Sequence, residues 1–149
     1  MKKILFVCLG NICRSPMAEF VMKDLVKKEN LENEFYIESC ATCRAHIGEE
    51  PHYGTRKKLK EKSISCEGKT ARKMEKSDYD RFDYILAMDE SNIDRILYII
   101  GEDKENKVSR LLEFAGEKRD IADPWITGNF DETYDDVLLG CKALLEKLK

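Results

Sequence analysis

The sequence predicts an α/β fold: one doubly wound domain, residues 1–149, whose four-stranded parallel sheet has helices on both faces and a tight loop after strand 1. Three observations lead there. Short apolar runs without face alternation recur between longer segments of helical periodicity. A chain of 149 residues suits a single core. With 42% apolar and 37% charged residues, 8 Gly and 3 Pro, the composition is that of a folded globule rather than a disordered or fibrous chain.

The elements follow in order. Lys3 to Cys8 reads as a strand buried on both faces. After a tight loop, Ser15 can cap a helix with Pro16 at its first position, and Ala18, Val21, Met22, Leu25 and Val26 recur at helical spacing. Phe35 to Glu38 is a second strand, followed by a polar loop through Gly48 and Pro51 and a basic helix from His52 to Lys62. Tyr84 to Ala87 is the third strand. Asp89 then caps a helix whose Ile93, Ile96, Leu97 and Ile100 share a face and which stops at Gly101. Val108 to Leu111 is a short fourth strand. The last helix carries Phe130, Tyr134, Val137, Leu138, Cys141, Leu144, Leu145 and Leu148 on its apolar face. No internal repeat or low-complexity tract interrupts the pattern.

Charge narrows the possible partners. The net charge is -3, and the one basic stretch, Arg56 to Lys62, contains Glu61 and no aromatic, so nucleic acid is not expected. Met1-Lys2-Lys3 before Ile4 to Leu9 imitates a secretory leader, but the apolar run ends at Gly10-Asn11, short of the usual length. No other segment could span a bilayer, so no membrane insertion and a cytoplasmic location are expected. The cysteines, Cys8, Cys13, Cys40, Cys43, Cys66 and Cys141, are then thiols, and the question is which of them reacts.

Between the first strand and the first helix lies Cys8-Leu9-Gly10-Asn11-Ile12-Cys13-Arg14-Ser15. A loop wrapped at a helix N-terminus aims backbone N–H groups at one point, and the helix dipole adds positive potential, so a phosphate dianion is held there. Gly10 and Asn11 tolerate the positive φ such a wrap requires. Cysteines in this setting titrate well below their free value of about 8.5, which makes Cys8 the candidate nucleophile. Arg14 offers a planar fork to two phosphate oxygens, and Ser15 can donate to the Cys8 thiolate. The loop lacks the Gly-Lys-Ser or Gly-Lys-Thr of nucleotide-binding loops.

Expelling a poor leaving group from a phosphate ester calls for a proton donor opposite the nucleophile, which a carboxylic acid can supply. In Ile121-Ala122-Asp123-Pro124-Trp125 the proline biases Asp123 toward extended backbone, although an Asp-Pro can also simply punctuate a turn before the last helix. Leu9, Ile12 and Trp125 are candidate apolar walls for an aryl slot.

The string Val7 to Glu19 resembles the active-site signature of the low-molecular-weight protein tyrosine phosphatases. The likeness continues in Ser39-Cys40-Ala41-Thr42, in Tyr84 to Asn92 and in Asp123-Pro124-Trp125, and so covers nearly the whole chain. It implies hydrolysis of phosphotyrosine and aryl phosphates through a phosphocysteine at Cys8, with Arg14 on the phosphate, Asp123 as general acid and then base, and no cofactor. It also implies that Cys13 captures oxidised Cys8 as a reversible disulfide. A small buried side chain filling the loop is the equally weighted alternative. The related protein arginine phosphatases usually carry threonine where this chain has Ile12. Ala45 stands where many relatives have an aromatic wall, and Ile126 replaces the second aromatic after Asp-Pro, which bears on substrate preference.

Other readings compete. Cys40, Cys43, His46 and His52 have zinc-ligand chemistry but a spacing that matches no common finger, so no metal is expected; Cys40 and Cys43 are a candidate redox pair. Cys66 and Cys141 read as packing residues. A thiol-dependent arsenate reductase shares such a fold and loop but needs a further cysteine pair that Met88 to Ile100 lacks. A non-catalytic phosphate-binding module is the remaining rival, and the presence of Cys8, Arg14 and Asp123 together argues against it. The expected partner is a phosphotyrosine-containing protein, with a bacterial-type tyrosine kinase as one candidate, for a monomer or weak dimer.

Overall fold

In the computed structural model, which describes all residues from Met1 to Lys149, strands β1 (Lys2–Cys8), β2 (Phe35–Ala41), β3 (Tyr84–Ala87) and β4 (Val108–Arg110) form one sheet in the order β2-β1-β3-β4. All pairings are parallel, with Cys8 opposite Ala41 and Val7 opposite Ala87. The strand order reverses at β1, so the crevice beyond its carboxyl end is the switch point at which open α/β sheets bind ligands. Cys8 is the last residue of that strand.

Helices α1 (Arg14–Lys28), α2 (Tyr53–Glu61), the short α3 (Asp78–Arg81), α4 (Glu90–Ile100), the short α5 (Pro124–Thr127) and α6 (Phe130–Leu148) complete the chain. The β1 side chains alternate between two apolar layers. Ile4, Phe6 and Cys8 face Met17, Val21 and Met22 of α1 and Val137, Cys141 and Leu144 of α6. Leu5 and Val7 face Phe82, Ile85, Ile96 and Ile100 on the α4 side. Both faces are therefore covered, which is why β1 reads as an unbroken apolar run. Where α6 crosses the short 3-10 turn at Leu111–Ala115 the helix presents Gly140. A Cβ there would meet Leu111 Cγ at 2.5 Å, so only glycine allows this approach.

The element boundaries shift slightly from those the sequence predicts. The second strand runs on to Ala41, and the fourth ends at Arg110 because Leu111 turns inward into the core. His52 caps α2, its ring nitrogen accepting from Gly54 N at 3.0 Å, and Asp89 caps α4 through a capping box with Asn92. The expected cap of the first helix fails. Ser15 does not cap the first helix: Cys13 is the N-cap and makes no side-chain capping bond, α1 starts at Arg14, and Pro16 lies in the first turn rather than at its first position. A proline is tolerated there because first-turn N–H groups have no intrahelical partner. The Ser15 hydroxyl is used elsewhere.

Candidate active site

The loop from Cys8 to Arg14 wraps around the Cys8 sulfur. Asn11 N and Ser15 N donate to Sγ at 3.3 and 3.4 Å, and Ser15 Oγ lies 2.9 Å from it. The Ser15 hydroxyl accepts from Asn11 Nδ2 at 2.7 Å, and the sulfur is a nearer acceptor for its proton than the Cys40 carbonyl at 3.5 Å. Those donors all stabilise a thiolate. The N–H groups of Gly10, Ile12 and Cys13 donate to no acceptor in the protein. Free donors at the N-terminus of a 15-residue helix are the elements of an anion site.

The wrap depends on one residue in the left-handed region, Asn11 at φ 59°; Gly10 does not adopt positive φ. This corrects the sequence reading, in which both residues were to supply it. Gly10 gives the His46 ring room instead, since a Cβ there would lie 2.9 Å from His46 Cδ2 and the ring would have to shift. Asn11 is 1% exposed and joins three segments. Its Nδ2 also donates to Ser39 Oγ at 3.0 Å, its Oδ1 accepts from Arg72 N at 3.2 Å, and Ser39 in turn donates to the buried Glu19 carboxylate at 2.5 Å. Lys69 closes the chain of contacts, 3.3 Å from Glu19. Replacing Asn11 with Ala should strain the backbone and strand these partners, with a loss of about 2–4 kcal/mol in a denaturant titration. An unchanged midpoint would mean that the network contributes nothing.

Arg14 is 3% exposed and is aimed by carboxylates on two other segments. One terminal nitrogen donates to Asp89 Oδ2 at 2.6 Å and to the Ile121 carbonyl at 3.0 Å; the other lies 3.6 Å from Asp123 Oδ2. Burial opposes its charge, but the Cys8 sulfur and the Asp89 and Asp123 carboxylates outweigh burial and raise its pKa above the ordinary value. Burial by itself would raise the Asp89 carboxyl. The hydrogen bonds from Arg14 and Asn92 N outweigh it and hold Asp89 below the usual carboxylate range. A depressed carboxylate contributes stability above its unfolded pKa of about 3.9, and that contribution is lost as pH falls through the folded value. Asn is an equivalent cap. Asp89→Asn should therefore cost about 1 kcal/mol at pH 7 and progressively less below pH 4, read from urea midpoints. A cost independent of pH would show that the ion pair is not its source.

Asp123 lines the same cleft as Cys8, Arg14, Leu9, Ile12 and Trp125. It also caps α5, Oδ1 accepting from Trp125 N at 3.0 Å, so the turn-forming and cleft-facing readings both hold. Trp125 is 58% exposed and packs its ring against His46 and His52 at centroid distances of 5.4 and 5.5 Å. Leu9 stands half-exposed at the mouth, and Ile12 is 6% exposed within it. Cys13 shares the cleft; burial foremost, then the Cys8 and Asp123 charges, pushes its thiol up to about 12.

The structure brings these residues together and adds others that the sequence reading did not assign to the site, among them Asp89, read as a helix cap, Glu19 and Ser39, named only within the family likeness, and His46, named only for its zinc-type chemistry. No disulfide joins Cys40 and Cys43 in this structure. All the cysteines are free thiols, with Cys40 buried among Leu5 and Val7 on the α4 side of the sheet and Cys43 in the cleft wall. No group of three or more His, Cys, Asp or Glu side chains is arranged to hold a metal. His46 pairs with Glu49, and His52 stacks on Phe130. Cys66 and Cys141 are buried in the main core, and no helix is long and apolar enough to cross a membrane.

A thiol ringed by N–H donors, at the switch point of a parallel sheet and beside a carboxylate-held arginine, defines a cysteine-based phosphate-handling protein. A family model described as low molecular weight phosphotyrosine protein phosphatase matches residues 3–149, and the chain belongs to that family. It is 41% identical to the low molecular weight protein-tyrosine-phosphatase YfkJ of Bacillus subtilis, over 100% of this chain and 97% of that protein. The crystal structure of YfkJ superposes with a TM-score of 0.96, covering 99% of this chain and 94% of that one. The chain is 42% identical to the low molecular weight protein-tyrosine-phosphatase PtpA of Staphylococcus aureus, over 98% of this chain and 93% of that protein. A structure described as DARP, drosophila arginine phosphatase, matches at 32% identity and a TM-score of 0.90, covering 100% of this chain and 98% of that one.

Proposed function

We propose that this chain, one catalytic domain over residues 1–149, is a protein tyrosine phosphatase that hydrolyses phosphotyrosine and aryl phosphate monoesters through a phosphocysteine on Cys8. Phosphate sits among the free loop N–H groups with two oxygens on the Arg14 fork. The Cys8 sulfur attacks phosphorus, the bond to the aryl oxygen breaks, and Asp123 delivers a proton to the departing phenolate. In the second half Asp123, now a carboxylate, takes a proton from water as the water oxygen attacks phosphorus. The P–S bond then breaks, inorganic phosphate leaves and the thiolate is restored. The observation that carries this reading is the convergence on one cleft of the donor-ringed Cys8 sulfur, Arg14 and Asp123. Ser15 holds the thiolate, and Leu9, Ile12 and Trp125 flank the ring of the substrate.

Cys13 serves as the resolving thiol: it lines the same cleft, and once a peroxide has oxidised Cys8 to a sulfenic acid the Cys13 sulfur attacks the Cys8 sulfur and water leaves as the disulfide closes, while at rest burial holds Cys13 protonated. The enzyme acts in the cytoplasm, on phosphotyrosine-containing proteins that include a bacterial-type tyrosine kinase, as a monomer or weak dimer.

The likeness to an arginine phosphatase gives the reading its one serious competitor. A guanidinium leaving group would be served by a polar wall, whereas the residue inside this cleft is the apolar Ile12. Hydrolysis of phosphotyrosine and phosphoarginine should be compared with EDTA present, from about pH 5 to 8. The tyrosine reading requires phosphotyrosine to be the better substrate. A reversed ratio would give the cleft to phosphoarginine.

A further inference from the structure

Six of the eight arginines, Arg14, Arg56, Arg72, Arg81, Arg110 and Arg119, face a carboxylate at 2.6 to 3.6 Å. The two without one are Arg44 and Arg95, and neither side chain donates a hydrogen bond within the protein. They line two grooves that share Lys73. Cys43, Ala45 and His46 form one wall of the catalytic cleft, while Arg44 and Ile47 line a groove on the far side of that wall together with Lys73. Lys73 also lines the adjoining groove, with Arg95, Ser91 and Thr42, and its only polar contact is a long one of 3.5 Å to the neighbouring Met74 carbonyl. At the base of that second groove the Thr42 hydroxyl is buried with no hydrogen-bond partner.

The strip is rigid and continuous with the active site. Ala41 bridges to Lys73 as an isolated parallel pair, Met74 N donates to the Ala41 carbonyl at 2.8 Å, and Thr42 N donates to the Cys8 carbonyl at 3.0 Å. On the other side Ser91 Oγ donates to Asp89, the residue that holds Arg14. Two acidic side chains, Glu75 and Asp94, line the same grooves and pair with none of the three cations. Glu38 is taken up by Arg72 and Arg81. A polyanion would meet those two carboxylates and be repelled, whereas single carboxylates at intervals could meet the cations between them.

We propose that Arg44, Lys73 and Arg95 form a docking strip for acidic residues flanking the phosphotyrosine of a protein substrate. This rests on the phosphatase reading and gives it a substrate class. An extended peptide spans about 3.3 Å per residue, so residues a few positions from a phosphotyrosine seated on Cys8 would run over the Thr42–Ile47 wall into these grooves. Contacts so far from phosphorus are the same in ground and transition states. They lower KM and leave kcat unchanged.

The test uses the whole protein and two peptides, one with acidic and one with neutral flanks, each made both with phosphotyrosine and with a non-hydrolysable phosphonate mimic. The unaltered protein should favour the acidic peptide about fivefold in kcat/KM and in Kd, less at high salt, and Arg44→Ala/Lys73→Ala/Arg95→Ala should lose that preference. Hydrolysis of a small aryl phosphate should be unchanged in the variant, which also establishes that it is folded. No preference in the unaltered protein, or one that survives the triple substitution, overturns the docking strip. Absence of any turnover would overturn the phosphatase reading instead, while binding of the phosphonate peptides would still judge the strip.

Discussion

Cys8→Ser should lower turnover of any phosphate monoester by on the order of 10^4-fold or more, while binding of phosphate or a phosphonate survives. The reason lies in how the loop divides its work. The donors that would hold the phosphate are backbone N–H groups and the Arg14 fork, and the substitution touches neither. The groups that hold the sulfur, Asn11 N, Ser15 N and the Ser15 hydroxyl at 2.9 to 3.4 Å, act on an atom that can be anionic. A serine oxygen stays protonated and cannot displace a phenolate. With no negative sulfur facing the anion, affinity should hold or rise slightly. Steady-state rates beside calorimetric titration of a phosphonate check both parts. Residual turnover above about 1% would move the nucleophile to another side chain.

Asp123→Asn should divide substrates by leaving group. For tyrosine phosphate, whose leaving phenol has a pKa of about 10, loss of the proton donor should cost 10²- to 10⁴-fold. For a nitrophenyl phosphate the first step needs little help, and one equivalent of nitrophenolate should appear in a burst. The second step lacks its base with either substrate, so with the nitrophenyl ester, whose first step stays fast, the phosphocysteine should accumulate and be seen after acid quenching. Asn is as good a helix cap as Asp, so α5 and overall stability should be little changed. Equal losses for both leaving groups, with no burst, would assign the proton to another residue.

Much of the fold was legible because it is written in local spacing. The unbroken apolar run of β1 required cover on both faces, and the 3.6-residue periods of α1, α4 and α6 required one apolar stripe each. The strand, loop and helix around Cys8 were legible for the same reason: nucleophile, turn residues and arginine lie within a few positions of one another. Even there local reading misassigned two jobs. Ser15 has the chemistry of a cap, and only packing decides that its hydroxyl turns toward Cys8. Gly10 has the freedom for positive φ, and only the approach of His46 reveals that space is what it supplies.

What could not be read are relations between distant segments. Asp89 meets Arg14 across 75 residues of sequence, and Ser39 meets Asn11 across 28. A helix cap signals its own helix, and nothing in its neighbours reports that a second oxygen is free for a buried arginine. Arg44 and Arg95 look in the sequence like any surface arginines, and they are distinguished only because the fold gives carboxylates to the others. Periodicity encodes which face of an element is buried. Hydrogen bonds and charges join particular atoms once, without a period, and so exist as a pattern only after the sheet has brought its strand ends together.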